Sequence, residues 1–557
     1  MKKVQLFGDS LQAISPTVSS QMRINCFYEI KKDGDKSNFI IRGTPGLSLA
    51  SQTLNTFAVR GVFSTMGFMY IVAGNVLYKM GTNNVMTSIG LVSSGSQIVG
   101  MSSNGVQLII ADGIAGWTYT YATNTLTQIA FGLVLGVIVA GTLYTAGTYT
   151  NVPLTGGTGS GAKATVVVSN GGVTSVTPTA YGIGYLINDV LSANVSTIGG
   201  TGSGFTVMVS QSNSGFPNGT NSVCFIDGYF VVNSPNSQQF YISNLLDGTN
   251  WQPLQFASKE SSPDLLIAVS NLNSTVLLWG TNSIEFWQDA GTFPFPLQRI
   301  SGSTSSWGLA AQSSIASIGN TLMFLGQNSQ GLVQIMILNG FTPQRVSTHD
   351  IENIITSFST VIDAIALTYM IDGHIMYQIT FPTANQSFLY DVTTDLWSIV
   401  RNGISANRHL GQMSVVFNNQ NYVSDYSNGN LYTFNKTSYT DNGTVILREV
   451  DTRHVTEEGN VFTLAELLLD MDTGETTLES GQGSNPTIML QTSKDYGRTF
   501  GNVRTVSLGA TGQYRSPRVV FRRFGSARDF VFKITMTDPV PFIIIGASAT
   551  IEQSPSQ

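Results

Sequence analysis

Charged side chains are scarce in this sequence. Only 11% of its 557 residues are Asp, Glu, Lys or Arg, whereas soluble domains average about 25%. Gly, Ser, Thr and Asn fill the difference, which favours β-structure with many turns. A surface short of charge is poorly protected against association, so the composition indicates a chain that neighbours cover in an assembly. The net charge of −6 excludes a basic footprint for nucleic acid.

Cysteine and histidine are also few. Cys26 and Cys224 are the two cysteines, and their wide separation gives neither a disulfide framework nor the spacing of a metal site. The histidines stand alone in the sequence, so we expect no metal cluster and no cofactor. They are His349, His374, His409 and His454.

Long apolar runs are missing as well. Residues 1–9 have a basic flank but no continuous apolar region, so we predict no export signal. The most apolar stretch, residues 129–144, is interrupted by glycine and is shorter than the roughly 20 residues that a spanning helix needs. The sequence therefore predicts no membrane segment.

Short runs of β-branched and aromatic residues are what the sequence does contain. Between residues 265 and 348 they form two consecutive groups of four, and the second group begins with Ser314–Ile318. Units of four strands that recur about every 40–50 residues are typical of a β-propeller. We expect seven units, or six if a weak one is a linker. They are Phe57–Met86, Gln97–Ala130, Val223–Phe256, Leu265–Ile300, Ser314–Thr348, Asp363–Val400 and His409–Phe434.

Several units share an Asx-Gly pair before a strand. The pairs are Asp227-Gly228, Asp372-Gly373 and Asn428-Gly429. Such pairs supply the positive φ values of a two-residue hairpin turn. The sequence therefore predicts a tight turn at each of the three positions.

Residues 132–216 interrupt the unit pattern and carry a repeat of their own. The sequence Gly-Gly-Thr-Gly-Ser-Gly occurs at 156–161 and again at 199–204, and each copy precedes a strand-like run. A phosphate-binding loop needs Gly-Lys-Ser/Thr at this point, but Ala162 precedes Lys163 and the second copy has no lysine. We therefore predict tight turns in a small β-rich insert domain.

The Asp-box pattern Ser-x-Asp-x-Gly-x-Thr-aromatic occurs after residue 437. In such a hairpin the carboxylate accepts turn amides, glycine takes the left-handed conformation and the aromatic residue packs inward. The same box recurs in sialidase propellers, where its role is structural. Its residues here are Ser493, Asp495, Gly497, Thr499 and Phe500.

The most charged stretch follows the Asp box. Its basic residues are Arg515, Arg518, Arg522, Arg523, Arg528 and Lys533. Alternation with Val519, Phe521 and Phe524 predicts that they occupy the outer face of strands. We favour a subunit interface in which they pair with carboxylates such as Asp470, Asp472 and Glu475. A solvated face is the next reading, and DNA contact the third.

Several of these stretches, in this order, resemble the packaged-DNA stabilisation proteins of short-tailed (podovirus) bacteriophages, the tail hub or nozzle family. They are Ile40–Leu47, which contains a predicted type II turn at Pro45-Gly46, Phe286–Ile300, Ile318–Gly326, Asn339–Ser347, Thr463–Gly474 and the arginine-rich region to Asp538. The resulting expectation is an all-β chain with a six- or seven-bladed β-propeller inserted into a β-sandwich-like platform built from both termini. The expected divisions are 1–56 and 437–557 for the platform, 57–131 and 217–436 for the blades, and 132–216 for the insert domain.

The resemblance implies a structural virion protein of the tail, made in the host cytoplasm and not an enzyme. It implies a homo-oligomer, a hexameric ring, attached through an adaptor ring to the portal. Tail fibres or spikes and a needle or plug protein would be its partners. Genomic DNA would pass through its channel without sequence-specific binding.

A carbohydrate-active or glycan-binding propeller is the alternative. An enzyme of this kind needs an acid and a nucleophile, for which Glu285, Asp289 and Asp363 are the candidates. A binding module would instead expose a cluster of aromatic residues such as Tyr119, Tyr121 and Tyr149.

Overall fold

A computed structural model describes residues 2–3, 6–8, 11, 13, 15–30, 39–53, 55–129, 133–183, 185–211, 215–476, 478–514 and 518–553. Strands make up 55% of the structure and helices 3%, so the predicted all-β class is confirmed. The described helices are Val195–Ile198 and His349–Thr356, with a 3-10 turn at Gln312–Ser314. No helix in these ranges has the length and apolar character needed to cross a membrane.

Seven antiparallel sheets repeat one four-stranded plan, which matches the larger of the two predicted unit counts. The strands of the first sheet are Val59–Thr65, Phe68–Ala73, Val76–Met80 and Met86–Leu91, and those of the second are Gly100–Ser103, Gln107–Ala111, Gly116–Thr120 and Thr125–Gln128. The third sheet has Val223–Ile226, Tyr229–Asn233, Gln239–Ile242 and Phe256–Ser258, the fourth has Leu266–Leu272, Thr275–Gly280, Ile284–Asp289 and Leu297–Arg299, and the fifth has Trp307–Leu309, Thr321–Asn328, Val333–Asn339 and Thr342–Arg345. The sixth has Ile365–Ile371, His374–Phe381, Gln386–Asp391 and Leu396–Val400, and the seventh has Gly411–Phe417, Gln420–Asp425, Asn430–Asn435 and Gly46–Gln52.

The fifth sheet differs from its prediction because its first strand is in two pieces. Trp307–Leu309 and Ala316–Ile318 both pair with Thr321–Asn328. Between them Ser314 forms a turn, since its hydroxyl donates to the carbonyl of Ala311 at 2.6 Å and accepts from the amide of Leu325 at 3.0 Å. The predicted strand Ser314–Ile318 therefore begins two residues late.

The seventh sheet takes its fourth strand from the other end of the chain. Gly46–Gln52, in the segment that we expected to belong to the platform, pairs antiparallel with Asn430–Asn435. Two further short strands, Thr440–Asp441 and Thr444–Val445, extend this sheet beyond Gly46–Gln52. The edge that Asn430–Asn435 would otherwise expose is therefore covered.

Two of the three predicted Asx-Gly turns have the expected backbone. Asp227 and Gly228 have φ values of +44° and +94°, and Asp372 and Gly373 have +49° and +85°. Neither Asn428 nor Gly429 is among the described residues with positive φ. A Cβ on Gly429 would collide with Thr53 Oγ1, so glycine is needed there for close packing.

Gly46 is a similar case, and the type II turn predicted at Pro45-Gly46 is wrong. Gly46 lacks positive φ and begins a strand instead. A Cβ at this position would lie closer to the backbone of Ser438 and Thr440 than van der Waals contact allows. Glycine therefore lets the strand Gly46–Gln52 lie close against the chain that follows the seventh sheet.

The chain divides into two compact units. The first contains Met1–Met69, Met80–Met86 and Leu309–Gln557, and the second contains Tyr70–Lys79 and Thr87–Gly308. The second unit includes the insert predicted from the sequence, which forms one six-stranded sheet. In chain order its strands are Val134–Tyr144, Gly147–Gly156, Ser160–Ser169, Gly172–Ile183, Val190–Ala193 and Gly200–Gln211.

Glycine turns shape this insert. Gly156 and Gly157 in the first glycine run, and Gly199 and Gly200 in the second, have φ between +69° and +100°. A strand begins within each run, at Ser160 and at Gly200, where a phosphate-binding loop would have a helix. The insert has its own apolar core around residues such as Phe205.

A β-sandwich occupies the C-terminal part of the first unit. Its first sheet has the order Cys26–Ile30, Phe39–Gly43, Ile543–Gln553, Phe462–Met471 and Val519–Ala527, with Lys2–Lys3 beside Ile543–Gln553. Its second sheet has the order Met22–Ile24, Arg448–Asp451, Asp529–Met536, Thr487–Ser493 and Arg504–Ser507, with Val455–Thr456 beside Asp529–Met536. Leu467, Phe521 and Ile544 from one sheet share a buried core with Leu490 and Phe532 from the other. Both termini thus contribute strands to the sandwich, as expected.

Met22–Ile24 joins the sandwich to the sixth sheet. It pairs antiparallel with Arg448–Asp451 and, at Ile24, parallel with Leu396–Val400. Arg23 is 1% exposed, and its guanidinium donates to the carbonyls of Trp397 at 2.7 Å and Gly8 at 3.0 Å. Four blade strands and the second sandwich sheet therefore form one continuous ten-stranded sheet.

Gly46→Ala should destabilise the first unit, because the added methyl group collides with backbone atoms that cannot rotate away. We expect a loss of about 1–3 kcal/mol, the usual cost of overpacking, measured as a lower denaturant midpoint. Gly546→Ala is the matched control, since a Cβ there has no atom within 4 Å. Equal midpoints for the two variants would contradict this role for Gly46.

Candidate subunit interface

Exposed arginines cluster on and around the strand Val519–Ala527, called here the arginine strand. Arg522 and Arg523 lie within it, and Arg518 and Arg528 flank it. All four side chains are exposed. Arg515, also predicted to belong to this surface, lies outside the described residues.

A β-bulge brings two of these arginines to one side of the sheet. The register against the neighbouring strand shifts between Leu464, which faces Gly525, and Glu466, which faces Arg522. Arg523 has a φ of +65°, the left-handed conformation that bulges often contain. Strict alternation would have turned Arg523 inward with Phe521, but the extra residue leaves it exposed beside Arg522.

Arg504 holds this bulge from the neighbouring sheet. Its guanidinium donates to the carbonyl of Arg522 at 2.6 Å and to that of Arg523 at 3.2 Å. Its Cζ lies 4.8 Å from the centre of the Phe524 ring, within the range of a cation–π contact. No local pattern in the sequence indicates this role for Arg504, because its partners are backbone atoms 18 and 19 residues away.

A carboxylate of the same chain lies beside the arginine strand. Glu466, which we did not single out, accepts from Arg522 Nε at 2.8 Å. Asp470 and Asp472 are half-buried and have partners within the chain, and Glu475 is exposed. Because exposed ion pairs contribute little to stability, the Arg522–Glu466 pair does not account for this arginine cluster.

Lys533 belongs to a separate cluster. Its Nζ lies 2.9 Å from Glu449 Oε1 and 3.6 Å from Asp451 Oδ2, on the strands Asp529–Met536 and Arg448–Asp451. Burial raises the pKa of the Asp451 carboxyl to about 7, against the opposing effect of Lys533. Lys533 therefore neutralises buried carboxylates and is not part of the exposed arginine surface.

The Asp-box hairpin follows the strand Thr487–Ser493. Asp495 accepts from Ser493 Oγ at 2.6 Å and, at Thr499, from the amide at 2.9 Å and the hydroxyl at 2.6 Å. These bonds to the charged form hold the pKa of Asp495 well below its usual range. Gly497 has a φ of +79°, and Phe500 is half-buried, with Lys533 Nζ 5.0 Å from its ring centre.

An open groove of about 590 Å³ lies beside this hairpin. We call it the Asp-box groove. Half-buried Phe500 and the almost fully buried Phe524 contribute to its lining, together with Lys494 and Arg504. Since Arg504 also holds the bulge, the groove adjoins the exposed arginines.

The candidate residues for enzyme chemistry are not brought together. Glu285 is fully buried and accepts from the amides of Glu260 at 2.8 Å and Ser261 at 2.5 Å, which is a structural role. The described residues contain no group of three or more metal-binding side chains. Tyr119, a candidate for glycan stacking, is 1% exposed and packs against Tyr70.

The comparison with protein families gives two matches. The β-propeller model of bacteriophage P22 Gp10 matches residues 161–439, and the β-sandwich model of the same protein matches residues 447–552. The chain belongs to the bacteriophage P22 Gp10 family. The resemblance seen in the sequence is thereby confirmed, and so are the propeller and sandwich classes.

Membership of the Gp10 family makes the chain a structural protein of a phage tail. A search of curated protein sequences gave no match. Among solved structures, Sqt1 of Saccharomyces cerevisiae is 9% identical with a TM-score of 0.33, covering 70% of this chain and 99% of its own. The computationally designed protein Ika8 is 9% identical with a TM-score of 0.31, covering 69% and 99%. Similarity at this level carries no argument about function.

Asp495→Asn should lower the melting temperature at pH 7, since the lost charge weakens the bonds that close the hairpin. The folded pKa of Asp495 lies below the unfolded value, so its contribution is present above about pH 4 and is lost as the pH falls further. Melting curves should show a smaller difference in melting temperature between the native chain and the variant at pH 3 than at pH 7. An equal difference in melting temperature at both pH values would show that the charge of Asp495 does not stabilise the hairpin.

His409→Gln should flatten the acid dependence of stability. Burial lowers the pKa of His409 to about 4, and its Nδ1 accepts from the amide of Gly411 at 3.0 Å. The unfolded state therefore binds a proton first, so the native chain loses about 3 kcal/mol as the pH falls from 7 to 4. Denaturant titrations at both pH values should show that the variant's free energy of unfolding falls less between pH 7 and pH 4 than that of the native chain. The exposed His349, replaced in the same way, is the control.

Proposed function

We propose that this chain forms a hexameric ring at the distal end of a short phage tail. The ring is attached through an adaptor ring to the portal and extends the DNA channel. It helps a needle or plug protein to retain the packaged DNA, and it offers docking surfaces for tail fibres or spikes. The observation that carries this proposal is the match of one phage tail protein to both the propeller and the sandwich.

Charge supports the passage of DNA without binding. The net charge is −6, and a channel wall without excess positive charge does not hold the phosphate backbone. Four of the exposed arginines lie close together at residues 518–528, and they do not form a long basic stripe. DNA would therefore slide through the ring, and release would follow from a conformational opening.

The arginine strand supports assembly. Four exposed arginines sit within 11 residues of each other, 518–528, while only 11% of the whole chain is charged. The bulge keeps Arg522 and Arg523 on the same side. We propose that these side chains contact carboxylates of a neighbouring subunit, with Asp470 and Asp472 at the margin of this interface.

The carbohydrate alternative has no comparable support among the described residues. Glu285 and Tyr119 are buried. Asp363 accepts from the amide of Thr383 at 2.7 Å, and Asp289 accepts from the amide of Gly291 at 2.8 Å. Glu285 and Tyr119 belong to the core, Asp289 binds within its own turn, and Asp363 binds a turn 20 residues further along the chain.

A cryo-electron reconstruction of the intact tail tests the proposal. Six copies of the chain around the channel axis, below the adaptor ring, are the expected result. Density only at the periphery of the tail, as a monomer or trimer, would contradict it. Turnover of a host glycan by the purified chain would favour the alternative instead.

Arg523→Glu should weaken ring formation at least tenfold, because it places a like charge against the carboxylates of the neighbour. The mass of the purified protein across a concentration series measures this. Arg299→Glu inverts the charge of another exposed arginine, on a blade strand, and should leave the mass unchanged. Equal effects of the two variants on the measured mass would show that the arginine strand does not lie in the interface.

A further inference from the structure

Five apolar side chains in the second unit are exposed on the loops at one end of three consecutive sheets. We call them the loop patch: Val106, Leu245, Leu246, Leu254 and Phe293. The first three are more than half exposed, and Leu254 and Phe293 are 87% and 96% exposed. Single exposed apolar side chains are common, but a contiguous apolar patch marks an interaction site.

Hydrogen bonds between the loops make the patch continuous. Asn104 Nδ2 donates to the carbonyl of Leu246 at 3.2 Å, which joins the Val106 turn to the next loop. Gln255 Nε2, next to Leu254, donates to the carbonyl of Pro294 at 3.2 Å. The five side chains therefore belong to one surface that spans the second, third and fourth sheets.

The loops that carry the patch are held in shape. Thr292 Oγ1 donates to the carbonyl of Phe295 at 2.7 Å, and Ala290 donates to Pro296 at 2.9 Å. In the longer loop, Trp251 Nε1 donates to Gly248 at 2.8 Å. Because these bonds already fix the loops, binding through Phe293 or Leu254 costs little ordering entropy.

The patch has negative charge around it and no positive charge. Residues 104–107, 225–230, 243–256 and 288–297 contain three aspartates, Asp227, Asp247 and Asp289, and no lysine or arginine. Nucleic acid and anionic lipid are repelled by such a surface. A protein surface that combines aromatic residues with basic groups is complementary to it.

The Asp-box groove has this chemistry. Half-buried Phe500 supplies apolar surface, and Lys494 and Arg504 are the basic groups of its lining. Arg522 and Arg523 adjoin it through their bonds to Arg504. Asp495 is the only acidic residue of the lining, and the hairpin's own donors occupy it.

We propose that the loop patch of one chain docks in the Asp-box groove of a second copy, with Phe293 and Leu254 against Phe500. The three aspartates then face Lys494, Arg504 and the arginine strand. The contact joins two different surfaces, so it is head-to-tail and adds subunits in one direction, as a ring requires. It rests on the proposed assembly of the chain into a homo-oligomer.

Cysteine cross-linking between two variants tests this contact. Gln252→Cys is exposed beside Leu254, and Asn502→Cys is exposed in the groove lining. The native Cys26 and Cys224 are buried and do not compete for the reagent. A short bis-maleimide should give a covalent dimer when the two full-length variants are mixed. Gln252→Cys mixed with Leu186→Cys, an exposed site in the insert, should give none.

A second pair of variants keeps the result independent of cysteine geometry. The double variant Phe293→Asp/Leu254→Asp should associate roughly tenfold or more weakly than the native chain, as expected for central apolar residues of an interface. Ile362→Asp, which replaces another exposed apolar residue, should associate normally. Circular dichroism and melting curves of both variants check that they fold.

The outcomes separate this contact from the proposed ring. If the native chain assembles, but the double variant assembles equally well and the cysteine pair gives no dimer, the contact is overturned and the ring stands. If the native chain remains a monomer at every concentration and in the tail reconstruction, the ring and the contact both fail. A dimer from the cysteine pair together with loss of assembly in the double variant supports the contact.

Discussion

Open sheet edges are the constraint that organises the first unit, and two short strands near the start of the chain remove them. Met22–Ile24 lies between the sixth blade sheet and the sandwich, and Gly46–Gln52 covers the last strand of the seventh sheet. Each strand pairs with backbone donors and acceptors of its neighbours. Without it, those groups would face solvent or an apolar core. The buried Arg23 adds bonds to the carbonyls of Gly8 and Trp397. The platform and the last two blades therefore depend on fewer than a dozen residues.

The fold was predictable where its signals are local. Alternating β-branched and aromatic residues indicated the blades, and Asp227-Gly228 and Asp372-Gly373 have the positive φ that two-residue turns need. Gly46–Gln52 was not assigned to the seventh sheet, because its partner is hundreds of residues away and nothing in its own sequence names that partner. The glycines at 46 and 429 were read as turn residues, although close packing against another segment is what requires them.

The candidate site was predictable only in part for a related reason. The sequence indicated an exposed row of arginines, and Arg522 and Arg523 are indeed exposed. It did not indicate the bulge that exposes both, because that bulge is fixed by register against Phe462–Met471 and by Arg504. Glu466 was overlooked since its proximity to Arg522 comes from strand pairing across 56 residues. Spatial neighbours brought together by sheets leave little trace in one sequence.

The late pairing of Gly46–Gln52 has a consequence for synthesis on the ribosome. This strand leaves the ribosome early, but its partner Asn430–Asn435 is completed about 380 residues later, roughly 20–80 s at ordinary elongation rates. Throughout that interval the seventh sheet does not exist and the strand has no place to pair. A chain that terminates early keeps an open blade and an unpaired N-terminal strand. Closure of the last blade therefore waits until translation has passed residue 435.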